Sequence, residues 1–167
     1  MAIVLNIETA TTNCSVSLSK DGETLVLKED NSDGYSHAET LHVYINNVFE
    51  EAKILAKDID AVAVSKGPGS YTGLRIGVSS AKGLCYALDK PLISVSTLES
   101  LAHQVKINEG IIISMLDARR MEVYSAVFNH KHEQVRDIKA EILTEDSYAD
   151  LLKENKVYFV GNGVAKT

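Results

Sequence analysis

No stretch of this sequence stays apolar for the roughly 20 residues that span a hydrocarbon core. Its start, residues 1–8, runs straight into a strand pattern without the basic stretch of a signal peptide. The expectation is a cytoplasmic chain with no membrane association. Cysteine is scarce: Cys14 and Cys85 are far apart, with no C-x-x-C or other metal spacing, and read as small buried hydrophobes on a strand and a helix. Basic charge is also short, with 17 Lys and Arg against 23 Asp and Glu for a formal net charge of −6. Nucleic-acid affinity rests on neutralising phosphates, so if RNA is handled, a partner is expected to hold most of it. What is present, 45% hydrophobic and 24% charged residues over 167 positions, describes a globular chain of one domain or two small lobes.

The sharpest local signal is K-G-P-G-S-Y-T-G-L-R-I-G at residues 66–77. Before it stands a short β-rich apolar run, residues 61–65. After it, Leu74, Val78, Ala81, Cys85 and Leu88 recur at helical spacing. This is a strand-to-helix turn built for close approach, with Pro68 biasing Gly67 toward an extended conformation. A helix opening here offers amide groups to an anion, yet no Gly-Lys-Ser/Thr follows as a phosphate loop requires. The alternative is a tight connection whose glycines only permit packing.

The remaining periodicities predict an ordered series. Residues 2–8 and 14–20 read as strands, Asp21-Gly22 as a hairpin turn, and residues 23–30 as the returning strand. A polar loop with Asp33-Gly34 leads to Ser36 and Glu39 at capping-box spacing, so a helix starts near His37. Leu41, Tyr44, Ile45, Val48, Phe49, Ala52 and Leu55 give that helix a wide apolar stripe. The next helix covers residues 71–88, interrupted only by Arg75 and Lys82, with Gly73, Gly77, Ser80, Gly83 and Ala87 as a small-residue face. A strand at 91–95, a Ser96/Glu99 capping box with a helix over 97–106, and strands at 111–116, 122–129 and 133–142 follow. A helix capped by Thr144 through 155 and a strand at 157–160 complete the order, with a loop at 161–163. Three strands, a helix and a strand, then a partial repeat, make a mixed α/β pattern.

Three blocks carry a resemblance over essentially the whole chain: I-V-L-N-I-E-T-A-T at the start, the glycine block at 66–77, and L-D-A-R-R-M-E-V-Y at 116–124. With these the chain resembles the TsaB (YeaZ) family, which serves tRNA threonylcarbamoyladenosine biosynthesis. The resemblance implies an α/β fold of the actin and sugar-kinase type, built on ribonuclease-H-like βββαβα lobes. It divides the chain into an N-terminal lobe, residues 1–106, and a partial, truncated C-terminal lobe, residues 107–167. It further implies a non-catalytic subunit that binds and activates a TsaD-like transferase. A TsaE-like ATPase belongs to the same complex, tRNA is reached only through that complex, and a homodimer forms when the partner is absent. In the TsaD relatives an H-x-x-x-H pair ligates a metal, and here Thr97 and Leu101 take those places. An alcohol and an alkyl chain do not replace two imidazoles, so no metal, no cofactor and no catalytic residue is expected.

The excess of apolar and small positions places the partner interface at Leu41, Tyr44, Ile45, Val48, Gly73, Ile76, Gly77, Ser80 and Leu84. Gly77→Leu or Val78→Asp is then expected to weaken partner binding without unfolding the chain. The rival reading is a Mg-ATP-dependent transferase or ATPase in the cleft between lobes, with Glu8 and Asp117 near Mg²⁺ and Gly67 and Gly69 near phosphate. Against it stand plainer roles, a loop-bonding carboxylate for Glu8 and a turn acceptor for Asp117. Arg75, near a helix start that disfavours a cation, calls for an acceptor such as a carboxylate or loop carbonyl. His37, His42, His103, His130 and His132 form no ligand set by spacing and read as surface or structural residues.

Overall fold

The computed structural model describes residues 1–30 and 37–167. The Asp33-Gly34 loop and the Ser36 half of the first capping box lie outside the described residues. The chain divides into two compact units, Met1–Val95 and Ser96–Thr167.

In the first unit, β1 (Ile3–Glu8), β2 (Cys14–Lys20) and β3 (Glu23–Asp30) form an antiparallel meander. The hairpin between β2 and β3 turns at Asp21 and Gly22, with φ of 52° and 87°, the positive values a type I′ turn demands. Helix α1 (His37–Ala52) leads to β4 (Ala61–Ser65), and α2 (Tyr71–Leu88) to β5 (Leu92–Val95). The sheet order is β3-β2-β1-β4-β5, with β4 parallel to β1 and β5 parallel to β4. Alternation along β2 buries Cys14, Val16 and Leu18 and leaves its serines half-buried. Those apolar residues join Leu5, Ile7, Val62 and Val64 in one core, closed by Leu41, Ile45 and Val48 of α1 and Ala81 of α2. Leu55 falls beyond α1, which ends at Ala52, and is exposed.

The second unit repeats the opening of this order. Helix α3 (Thr97–Ala102) precedes β6 (Ile111–Asp117), β7 (Glu122–Asn129) and β8 (Gln134–Ile142); α4 (Ala149–Glu154) precedes β9 (Val157–Val160). Their order β8-β7-β6-β9 matches β3-β2-β1-β4. This is the actin and sugar-kinase type of ribonuclease-H-like arrangement that the family resemblance implied, and it agrees with the mixed α/β order read from the sequence. Ile111 to Leu116 are all buried because both sheet faces are covered. Ile113, Met115 and Val127 pack toward Leu151 of α4, while Ile112, Leu116 and Phe128 pack toward Leu98 and Ala102 of α3.

Two expectations change here. Helix α3, expected in a first lobe ending at residue 106, belongs to the second unit because its apolar face fills the β6–β7 surface. Helix α4 starts at Ala149, well after Thr144, because Tyr148 with a φ of 64° interrupts the right-handed run, and residues 144–147 close only one turn, the Ser147 N–H donating to the Thr144 carbonyl at 3.0 Å.

Candidate functional site

The glycine turn folds back on the end of β1. Gly67 takes a φ of 102°, which glycine tolerates and the extended conformation expected before Pro68 does not describe. The Ser70 N–H donates to the Ala10 carbonyl at 2.6 Å. Gly69 lies against Ala10, Gly73 against the Thr9 carbonyl and Gly77 against the Thr9 hydroxyl, each so close that a Cβ would collide. These glycines are spent on intramolecular packing. At the helix start the Ser70 hydroxyl accepts from the Gly73 N–H at 3.3 Å and the Ser70 carbonyl from the Leu74 N–H at 2.9 Å, so these two amides are not open to an anion.

The two carboxylates of the nucleotide reading have partners of their own. Glu8 accepts from the Ala10 N–H at 2.6 Å and from the Ser65 hydroxyl. Asp117 accepts from Lys166 Nζ at 2.7 Å and from the Arg119 N–H at 2.5 Å. The lysine hydrogen bond foremost, then that amide, holds the Asp117 carboxyl below its usual range. Arg119 and Arg120 occupy the β6–β7 turn with positive φ and are exposed. Thr97 is buried, and Leu101 packs on the cluster of Leu98, Ile112 and Phe128. Among the described residues no three His, Cys, Asp or Glu side chains cluster as a metal site. His37 is buried, and His103 stacks on His132 with ring centroids 4.4 Å apart.

The interface residues expected from the sequence divide by burial. Leu41, Ile45 and Val48 belong to the core of the first unit, and Gly73 and Gly77 face Thr9. Those five are unavailable to a partner. The expectation for Gly77→Leu is therefore corrected: a leucine there strikes Thr9 and damages the unit itself. Val78 packs on the core too, so Val78→Asp does not separate docking from folding either. Tyr44, Ile76, Ser80 and Leu84 keep part of their surface.

The outer side of α2 carries residues that the interface expected from the sequence leaves out. At 100° per residue, Tyr71, Arg75, Ser79, Lys82, Gly83 and Tyr86 fall on one face, and all are exposed. Tyr71 is 75% exposed and Tyr86 92%. Beside them opens a cavity of about 420 Å³ lined by His42 of α1 with Ser79, Ser80, Gly83 and Leu84 of α2. The Ser80 hydroxyl lies 3.3 Å from His42 Nε2 across it. Val43, 52% exposed, extends the surface on α1. Arg75 has neither the carboxylate nor the loop carbonyl expected for it among the described residues; its guanidinium stands 5.3 Å from the Tyr71 ring centroid. The 3.6-residue period carries this signal once charged and aromatic positions are placed on it beside the apolar and small ones.

The sequence profile of the TsaD family, described as tRNA N6-adenosine threonylcarbamoyltransferase, matches residues 34–165. The "tRNA threonylcarbamoyladenosine biosynthesis protein TsaB" of Bacillus subtilis is 37% identical over 123 residues, covering 71% of this chain and 53% of the relative. Its namesake in Escherichia coli is 33% identical over 151 residues, covering 85% and 64%. The chain thus spans less than two thirds of the length of either. The solved structure of YeaZ from Pseudomonas aeruginosa superposes with a TM-score of 0.73 at 28% identity, over 87% of this chain and 68% of that one. The chain belongs to the TsaD family and, within it, to the TsaB (YeaZ) group.

Proposed function

We propose that this chain is a non-catalytic subunit of tRNA threonylcarbamoyladenosine biosynthesis that binds a TsaD-type transferase through the outer faces of α1 and α2 and supports its active form. Gly83 is the observation that carries the reading. A glycine inside a helix costs about 1 kcal/mol relative to alanine. For Gly73 and Gly77 the close approach of Thr9 offsets that cost, whereas nothing lies within 4 Å of a Cβ on Gly83. A partner side chain entering the adjoining cavity would supply the missing contact. The relatives' names supply the pathway, and the replacement of the metal-binding histidines by Thr97 and Leu101 supports a subunit without catalysis of its own. A TsaE-like ATPase completes the cytoplasmic complex, tRNA is held through the partner, and self-association uses the same faces when the partner is missing.

The test is Gly83→Leu in titration calorimetry and gel filtration with the TsaD-type partner. The exposed leucine leaves the fold intact by circular dichroism and weakens binding by about tenfold or more, the loss expected from a blocked central contact. Unchanged affinity rejects this face.

A further inference from the structure

Helix α2 contains no Asp or Glu, although the chain as a whole carries a net charge of −6. Its only charged residues, Arg75 and Lys82, both stand on the exposed face, and neither makes an ion pair among the described residues. Arg75 is nonetheless held in place, its guanidinium over the Tyr71 ring. A stacked guanidinium keeps its forked donors free for a carboxylate and has already lost much of its rotamer freedom. Tyrosine and arginine are also the residue types that anchor protein interfaces.

Resting on the docking surface proposed above, we infer that α2 selects its partner by charge: the partner presents two carboxylates about two helical turns apart, one to Arg75 and one to Lys82. The spacing follows from the sequence positions, since seven residues at 1.5 Å rise set the two cations about 10 Å apart on one line. A second copy of this chain, which takes the same faces only when the partner is missing, fits that spacing poorly. The outward carboxylates of α1 are Glu39 at its first turn and Glu50 and Glu51 near its end, roughly 16 Å apart along the axis, and Glu51 already pairs with Lys28. Copies that met α2 to α2 would oppose like charges. The same cations steer encounter, so association slows with added salt.

The experiment compares wild type, the double variant Arg75→Glu with Lys82→Glu, and its neutral counterpart Arg75→Gln with Lys82→Gln, in stopped-flow and calorimetric binding to the TsaD-type partner over a salt series. Gly83→Leu serves as the control for the surface itself, and retention of tRNA by the mixture is followed in parallel. The charge-reversed form is expected to associate at least about tenfold more slowly at low salt and to lose most of its salt dependence. The neutral form falls between and guards against a folding defect. Affinity within about twofold of wild type with unchanged salt dependence, while Gly83→Leu abolishes binding, overturns the charge reading and leaves the surface standing. Loss of tRNA retention at unchanged partner affinity also overturns it, assigning the cations to phosphates instead. If Gly83→Leu binds normally as well, the docking surface itself is wrong.

Discussion

Gly73 and Gly83 share a helix but meet different surroundings, about 80° apart around its axis. At Gly73 an added methyl collides with the Thr9 carbonyl, and backbone cannot yield cheaply. At Gly83 the methyl enters open space. Gly73→Ala is therefore expected to destabilise the chain by roughly 1–3 kcal/mol, the range for overpacking. Gly83→Ala should stabilise it by up to about 1 kcal/mol through helix propensity. Urea denaturation of the two variants checks both signs, and equal shifts would contradict the assignment of the faces. The spacing of these glycines was legible in the sequence, and so was the close approach they permit. Which neighbour approaches was not, because a helical wheel sorts residues onto faces without saying what covers each one. Thr9 and Ala10 lie far away in sequence and meet the turn only after β1 and β4 pair.

At the scale of elements, the strongly periodic segments were readable: α2, β7 and β9 run where alternation and 3.6-residue spacing put them. Elements set by polar side chains were not. Helix α4 docks through a network in which Glu141 accepts from Tyr148 at 2.6 Å, from Arg136 at 2.7 Å and from the Ser125 hydroxyl. The Arg136 guanidinium also lies 5.0 Å from the Tyr148 ring centroid. These residues come from β7, β8 and the turn before α4, and no local pattern announces their meeting. Burial pushes the Glu141 carboxyl up, and the hydrogen bonds from Ser125 and Tyr148 with the Arg136 charge more than reverse it. Its folded-state pKa thus lies below the unfolded value near 4.3. A depressed carboxyl stabilises the fold above that value, and the stabilisation is lost as pH falls through the folded pKa. Asp117, held down by Lys166, adds in the same direction, less so because it is largely solvent-facing. Acid unfolding followed by tyrosine fluorescence should therefore show a stability decline below about pH 4 that Glu141→Gln reduces. Glu141→Gln should also lower stability near neutrality by roughly 1–3 kcal/mol, since Arg136 loses its charged acceptor. An unaltered acid profile would deny Glu141 that role.

At the scale of the whole molecule, net charge bears on the proposal that tRNA is held through the partner. The chain's acidic excess sets its overall potential against phosphate, and the exposed cations of α2 are the ones expected to face a protein partner. Phosphate contacts supply most non-specific affinity for nucleic acid and make it fall steeply with salt. The chain alone is therefore expected to retain tRNA no better than about 10⁻⁴ M near physiological salt, the weak end of non-specific binding. Addition of the TsaD-type partner should bring retention that the partner dominates. Filter binding of labelled tRNA to each protein singly and to their mixture measures this directly. Saturable micromolar binding by the chain alone would show that it handles RNA itself. A mixture in which the partner binds tRNA while Gly83→Leu leaves retention unchanged but abolishes modification would place this chain's contribution in the transferase's active form instead of in RNA capture.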